Sequence, residues 1–413
     1  MATTDATAVR QDGPVATNQD PWPTWQVDLA HEAATLIDVA DRALVDGSSR
    51  WLTDSLEPDA TMSPQLWIAT RTSHCLSLGV LLKKAHADRA AEALRSIDTD
   101  FADITHGGWF DVAADSGQNP NRKTAYGHAF VMLAAASALI AEVEGAADLL
   151  ERATHIVEAH FWDESTGAMR ESFNDDWSET EAYRGANANM HAIEAFLAVG
   201  DATNARVWTE RAVRIAQRIV SVARTYEWCI PEHFAADWTV DPTYNADQPR
   251  HQFRPPGVTP GHAVEWARLL VQLWARDHTL TWALDGAQQL FDRAVRDGWQ
   301  VPGGLPYTTT FEGIPVVTER FHWVQCELAY AAEFLWRATG FEQYADWRAA
   351  AWQYIWPHFP DRELGGWRHE LDSASQPSYT TWVGKPDVYH ALQACLSPRL
   401  ALDKSVARSL VEL

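Results

Sequence analysis

The 413-residue sequence predicts an all-α fold: a closed (α/α)6 ring of six helical hairpins, with short β-hairpins in the loops on one face. Two observations predict it. Apolar residues recur at three-and-four spacing in stretches such as AYGHAFVMLAAASALIAEV, NARVWTERAVRIAQRIVSVA and CELAYAAEFLWRAT, whereas alternating strand patterns are short and few. Long helical stretches are also repeatedly followed by an aromatic or Gly-rich segment. These segments are HGGWFDV near 107, TGAMRESF near 167, WCIPEHF near 229, PGGLPYTTT near 303 and LGGWRHEL near 365, about 60 residues apart with one longer gap. A unit of that length holds two helices and a loop, and it must stack on its neighbours to bury its apolar face.

In chain order, residues 1–20 lack the apolar core of a signal peptide and are expected to form a flexible tail. Residues 21–413 are expected to form one catalytic domain. A degenerate first hairpin falls within residues 25 to 90, and the five visible repeats follow. The longer gap holds ADWTVDPTYNADQPRHQFRPPGV, Pro- and Asp-rich and unsuited to a helix. The last helical segments, through VYHALQACL and SVARSLVEL, stay apolar and lack a polar capping repeat, which favours a closed ring over an open solenoid. Closure leaves a funnel at one end, lined by loops and inner-helix starts.

Charge narrows the partners. With 33 basic against 56 acidic residues the formal charge is −23, which repels nucleic-acid phosphates and anionic lipid heads. No apolar run approaches the roughly 20 residues of a membrane span. Cys75, Cys229, Cys326 and Cys395 form no CxxC pair and are expected to be reduced and buried, in keeping with a cytoplasmic location. The oligomeric state, monomer or homo-oligomer, is not legible.

Polar residues interrupt the apolar faces one helical turn apart, near helix starts: Trp67 with Arg71, Asn187 with His191, Trp323 with Glu327, and His262 with Glu265. Convergence at the funnel mouth would make a pocket suited to a polyhydroxylated ligand, with aromatic faces for C–H groups and polar groups for hydroxyls. Simpler readings exist for each. Most of the 21 Trp pack a core; Asn187 suits a cap; Arg71 suits a neighbouring carboxylate; Glu327 could pair with Arg320 at the surface. His262 stands out. In TPGHAVEWARLL, with Thr259 as cap and Pro260 in the first turn, the positive helix end favours its neutral imidazole, which a base requires. Glu265 one turn on can orient the ring or hold a hydroxyl. His390 occupies another helix start, after a Gly-Lys-Pro turn. Two imidazoles facing one cavity imply proton transfer. Other classes compete: a glycoside hydrolase using two of Glu232, Glu265, Glu327 and Asp387, a metal enzyme built on His-x-x-Glu, or a non-catalytic sugar binder, which would not need the two histidines.

RTSHCLSLG, KTAYGHAFVMLAAAS, YRGANANMHAIEAF, FRPPGVTPGHAVEWARLL, RFHWVQCELAYAA and GKPDVYH together resemble the N-acylglucosamine 2-epimerase superfamily, over about residues 60 to 397. GKPDVYHALQA resembles its mannose and sulfoquinovose isomerase branch rather than the epimerase branches, which carry a Cys-Pro motif before the last histidine. The resemblance implies an (α/α)6 barrel and cofactor-free, metal-free aldose chemistry through an enediol. It implies that mannose becomes fructose, with lyxose to xylulose, or 2-epimerisation of mannose, glucose or an N-acylhexosamine, as alternatives. It also implies His262 and His390 as acid/base residues with Glu265 beside the first, and Trp67, Arg71, Tyr126, Asn187, His191, Arg254, Trp323 and Glu327 as contacts to a monosaccharide.

Overall fold

A computed structural model describes residues 22–113 and 122–413; the tail expected at 1–20 lies outside the described residues. Twelve of its helices form six pairs in chain order: α1 (Trp22–Ala43) and α2 (Leu66–Leu81), α3 (Ala87–Phe101) and α4 (Ala125–Ile140), α5 (Ala146–Ile156) and α6 (Ala186–Thr203). The series continues with α7 (Arg206–Thr225) and α8 (Pro260–Arg276), α9 (Thr281–Gly298) and α10 (His322–Thr339), α11 (Glu342–His358) and α12 (Tyr389–Leu396). The second helix of each pair is buried almost all round, as a helix at the centre of a ring must be. The first carries a single apolar stripe. On α7 that stripe is Trp208, Ala212, Ile215, Ala216, Ile219 and Ala223, at the spacing of one helix face.

The ring closes, as the apolar last segments predict. Helix α12 packs against both α10 and α2, and α1 packs on α12. Trp51 Nε1 donates to the Val383 carbonyl at 2.9 Å, and Glu32 accepts from Trp367 Nε1 at 2.8 Å, so the first and last hairpins are tied directly. A short α13 (Val406–Val411) packs under α2, α4 and α6 and plugs the far end.

Short antiparallel pairs deliver inner helices to the open end. Arg122–Thr124, Tyr183–Gly185 and Arg320–Phe321 run straight into α4, α6 and α10, and pair with Ser172–Asn174, His233–Ala235 and Glu370–Leu371. Each pairing anchors one inner-helix start to the loop of the following repeat. The insert at 236–258 forms no helix, as its composition predicts. It bridges to a loop across the mouth, through Arg250 to Thr380 at 3.1 Å and Gln252 to the Thr381 carbonyl at 2.7 Å. All four cysteines are free and buried, and no described helix is long and apolar enough to cross a membrane.

Candidate active site

At the mouth, the starts of the inner helices enclose one cavity. Arg71, Tyr126, Asn187, His191, His262, Glu265, Trp323 and His390 line it, under a roof of Gln252, Phe253 and Trp382. Each of the two helix-start histidines has a carboxylate behind it. His262 Nδ1 lies 2.9 and 3.0 Å from the two Glu232 oxygens, and His390 Nδ1 lies 2.8 Å from Glu327 Oε1. A carboxylate accepts and cannot donate, so each Nδ1 carries the hydrogen and each Nε2 keeps its lone pair for the cavity. Glu232 gets there through strand pairing: it precedes His233–Ala235, and its carbonyl accepts from Ala186 N at the start of α6.

The indole of Trp323 spans the two dyads, with its centroid 5.2 Å from the His262 ring and 5.7 Å from the His390 ring. Close packing explains the glycine before His262. A Cβ on Gly261 would lie 2.6 Å from Trp323 Cζ3, a contact that real Cβ atoms do not make.

Burial, followed by Arg71, holds His390 well below the usual imidazole range, so it is a neutral base. Burial and then Arg71 do the same to His191. Arg71 Nη1 pairs with Asp387 at 3.1 Å and Nη2 donates to Tyr126 Oη at 3.0 Å, leaving a fixed cation in the wall. Burial raises Asp387, but the Arg71 guanidinium and the backbone N–H of Tyr389 outweigh it and hold the carboxyl below its usual range. The cavity carries unspent hydrogen-bond capacity: Asn187 Oδ1, His191 Nδ1 and both ring nitrogens of His322 are buried without a partner among the described residues. Such groups each leave about 1–3 kcal/mol of desolvation uncompensated until a polar ligand arrives.

Several expected roles fall elsewhere. Arg254 does not reach this cavity; Glu181 at 2.8 Å, Glu171 at 3.3 Å and Tyr244 Oη at 3.0 Å compensate its charge in an adjoining vestibule of about 430 Å3. Trp67 lines that vestibule too, while Tyr126, Asn187 and Phe253 are shared by both spaces. Glu327 lies behind His390 rather than at the cavity surface, and its cationic partner is Arg268 at 3.0 Å, not Arg320, which donates to the carbonyls of Gly303 and Ser373. Glu265 does not orient His262, because Glu232 holds that position. Thr259 precedes α8 but makes no capping bond, its hydroxyl being buried without a partner. Asn187 is no cap either; its amide nitrogen reaches the Phe253 carbonyl at 3.4 Å.

The His-x-x-Glu of α8 is not alone, since His191 and Glu194 repeat it on α6. Two groups have metal-ligand spacing: His191, Glu194 and Glu265, and Glu265, Glu327 and His390. The Arg268 guanidinium already stands between them, at 3.6 Å from Glu194, 3.5 Å from Glu265 and 3.0 Å from Glu327, and supplies the cation these carboxylates need. Glu265 and Glu327 also fail as a hydrolase pair. Their nearest oxygens lie within 4.8 Å and share one arginine, and only Glu265 faces the cavity. No sequence pattern marks Arg268, His322 or His369, and Glu232 and Asp387 read from sequence only as candidate acids. Glu232 sits in the repeat segment WCIPEHF and His369 in LGGWRHEL, so recurrence of those segments at the funnel end was the available signal.

A family model described as N-acylglucosamine 2-epimerase (GlcNAc 2-epimerase) matches residues 47–394. The chain is 43% identical over 402 residues to a D-mannose isomerase of Thermobifida fusca, covering 94% of this chain and 98% of that one. It is 42% identical over 358 residues to a D-mannose isomerase of Pseudomonas cannabina pv. alisalensis, covering 83% and 85%. A crystal structure of D-mannose isomerase superposes with a TM-score of 0.83 at 28% identity, covering 90% of this chain and 97% of that one.

Proposed function

The chain belongs to the N-acylglucosamine 2-epimerase family, and from that premise we propose that it is an aldose–ketose isomerase converting D-mannose to D-fructose. The observation that carries the reading is the pair of carboxylate-anchored imidazoles flanking Trp323 in one cavity. The similarity to D-mannose isomerases over most of the chain supports the choice of sugar.

Residues 21–413 act as one catalytic domain. Hexose binds with its hydroxyls satisfying Asn187, His191 and His322, and Trp323 stacks against its C–H face. His262, backed by Glu232, exchanges protons with the anomeric hydroxyl and the ring oxygen, which opens the ring. His390 Nε2 then takes the C2 proton of the open aldose. Negative charge develops on O1 and spreads through the enediolate, where the Arg71 guanidinium and a protonated Glu265 stabilise it. Burial and the nearby Glu327 charge push the Glu265 carboxyl well up, so it donates at working pH. Glu265 gives its proton to O1 and takes the O2 hydroxyl proton in exchange, and delivery by His390 of a proton that has exchanged with solvent on the imidazole to C1 on the same face gives the ketose. Delivery to C2 from the opposite face would give the 2-epimer instead.

Product analysis over a panel of aldoses, ketoses and aryl glycosides, with and without chelator, tests the reading. Fructose from mannose, and mannose from fructose, is the expected result. Glucose as the main product would make the protein a 2-epimerase, and release of an aglycone with no isomerisation would remove the reading.

A further inference from the structure

Below the cavity floor Arg268 is fully buried, and its partners come from three inner helices: Glu194 on α6, Glu265 on its own α8 and Glu327 on α10. Its guanidinium also lies over the Tyr330 ring at 4.7 Å. Helix α12 contributes Tyr389, whose hydroxyl donates to Glu194, and His390 itself. From α2 and α8, Arg71 and His262 act on Glu327 as well.

We propose that Arg268 is a positioning residue which sets the tautomer of His390 through Glu327, holding that carboxylate ionised so that Nδ1 is the donor and Nε2 the base. The inference rests on the isomerase reading above. Three carboxylates around one guanidinium cannot all stay anionic away from water. Burial raises both Glu265 and Glu327, and Glu265 further, since Glu327 and Glu194 both face it. Arg268 Nε is 3.0 Å from Glu327, whereas Nη2 is 3.5 Å from Glu265, so the proton resides on Glu265 and the charge on Glu327. Without the guanidinium Glu327 takes up a proton. A neutral carboxyl can donate to His390 Nδ1, which moves the imidazole hydrogen to Nε2, where the ring no longer accepts a substrate proton.

The test combines R268M, R268K, E327Q and the double variant R268M/E327Q with kcat/KM against pH and imidazole nitrogen NMR of His390. In R268M the acid limb moves up by about two pH units, the loss approaches about 100-fold at pH 6, and the deficit narrows as pH rises, because the missing charge acts through one titration. R268K lies between R268M and wild type. The double variant loses no more than E327Q alone, as expected of residues acting in series. Wild-type His390 carries its hydrogen on Nδ1, and R268M shifts it to Nε2 near neutral pH. A pH-independent loss in R268M, multiplying losses in the double variant, or a wild-type His390 protonated on Nε2 overturns the proposal. Should R268M not fold, R268K and the wild-type spectrum still decide. An inactive wild type would sink the isomerase reading, while the NMR, which needs no substrate, would still judge Arg268.

Discussion

Replacing Glu232 by glutamine removes the charge behind His262 and little else. The side chain is 3% exposed, both oxygens lie within 3.0 Å of Nδ1, and the backbone carbonyl that holds Ala186 is untouched. Glutamine keeps the volume, so no cavity forms. A hydrogen bond to a charged group is worth about 1.5–3 kcal/mol and a neutral one about 0.5–1.5, so the imidazolium formed during ring opening loses about 1–2 kcal/mol. At 1.36 kcal/mol per decade that is about a 5- to 30-fold drop in kcat/KM. Glu232→Ala also leaves Nδ1 buried and unpaired, a further ~1–3 kcal/mol, for a total of about 2–5 kcal/mol and a loss of about 30- to 5,000-fold. The assay is the initial rate of fructose formation, together with exchange between α- and β-mannose by NMR, which reports ring opening alone. Anomer exchange falls in parallel with turnover. Glu232→Ala with activity within twofold of wild type, or with turnover lost and anomer exchange intact, would refute the assignment of this dyad to ring opening.

Other perturbations separate the remaining parts. His390→Asn removes the base and lowers both conversion and exchange at C2 by about 10²- to 10⁴-fold while anomer exchange persists; C2 exchange at the wild-type rate would place the base elsewhere. Gly261→Ala drives a Cβ into the Trp323 ring and moves the surface both imidazoles rest on, so kcat falls about 10²-fold with a smaller change in thermal stability. A silent substitution would mean that Trp323 position is not critical. His74 is buried against Ser137 Oγ at 2.8 Å, and burial takes its imidazole down to about 4. Its folded pKa lies below the unfolded value near 6.5, so unfolding takes up a proton between those pH values and stability falls as pH drops through that window. The contribution lost between pH 7.5 and 4.5 is about 2.5 kcal/mol. Urea midpoints for His74→Gln should show that much less acid sensitivity, and an unchanged slope with pH would contradict the neutral buried state.

The ring was legible because its cause is local. Three-and-four spacing marks each helix, and five segments such as HGGWFDV, WCIPEHF and LGGWRHEL mark the returns, so with the degenerate first hairpin the count is six. The apolar TPGHAVEWARLL likewise announces an inner helix with a histidine in its first turn. Who stands behind that histidine is a different kind of fact. Glu232 reaches His262 across 30 residues through a strand pair of three residues each, too short to leave an alternating pattern. Arg71 meets Asp387 across 316 residues because the ring closes there. Arg268 sits in the same quoted helix as His262, yet its role depends on glutamates from α6 and α10 and on no spacing within α8. Periodicity tells which face of a helix is buried, not which residues meet there from other helices. The same limit hid the partners of Arg254 and Glu327, whose charges are compensated by groups far off in the chain.

The central claim is proton transfer between sugar carbons by an imidazole, and the most direct measurement is turnover of mannose in heavy water followed by NMR of both sugars. The account predicts fructose with deuterium at C1 and recovered mannose with deuterium at C2, both lost in His390→Asn. Fructose formed at the normal rate with only protium at C1, and mannose unlabelled at C2, would mean that hydrogen moves without visiting an exchangeable base, and the account would be wrong.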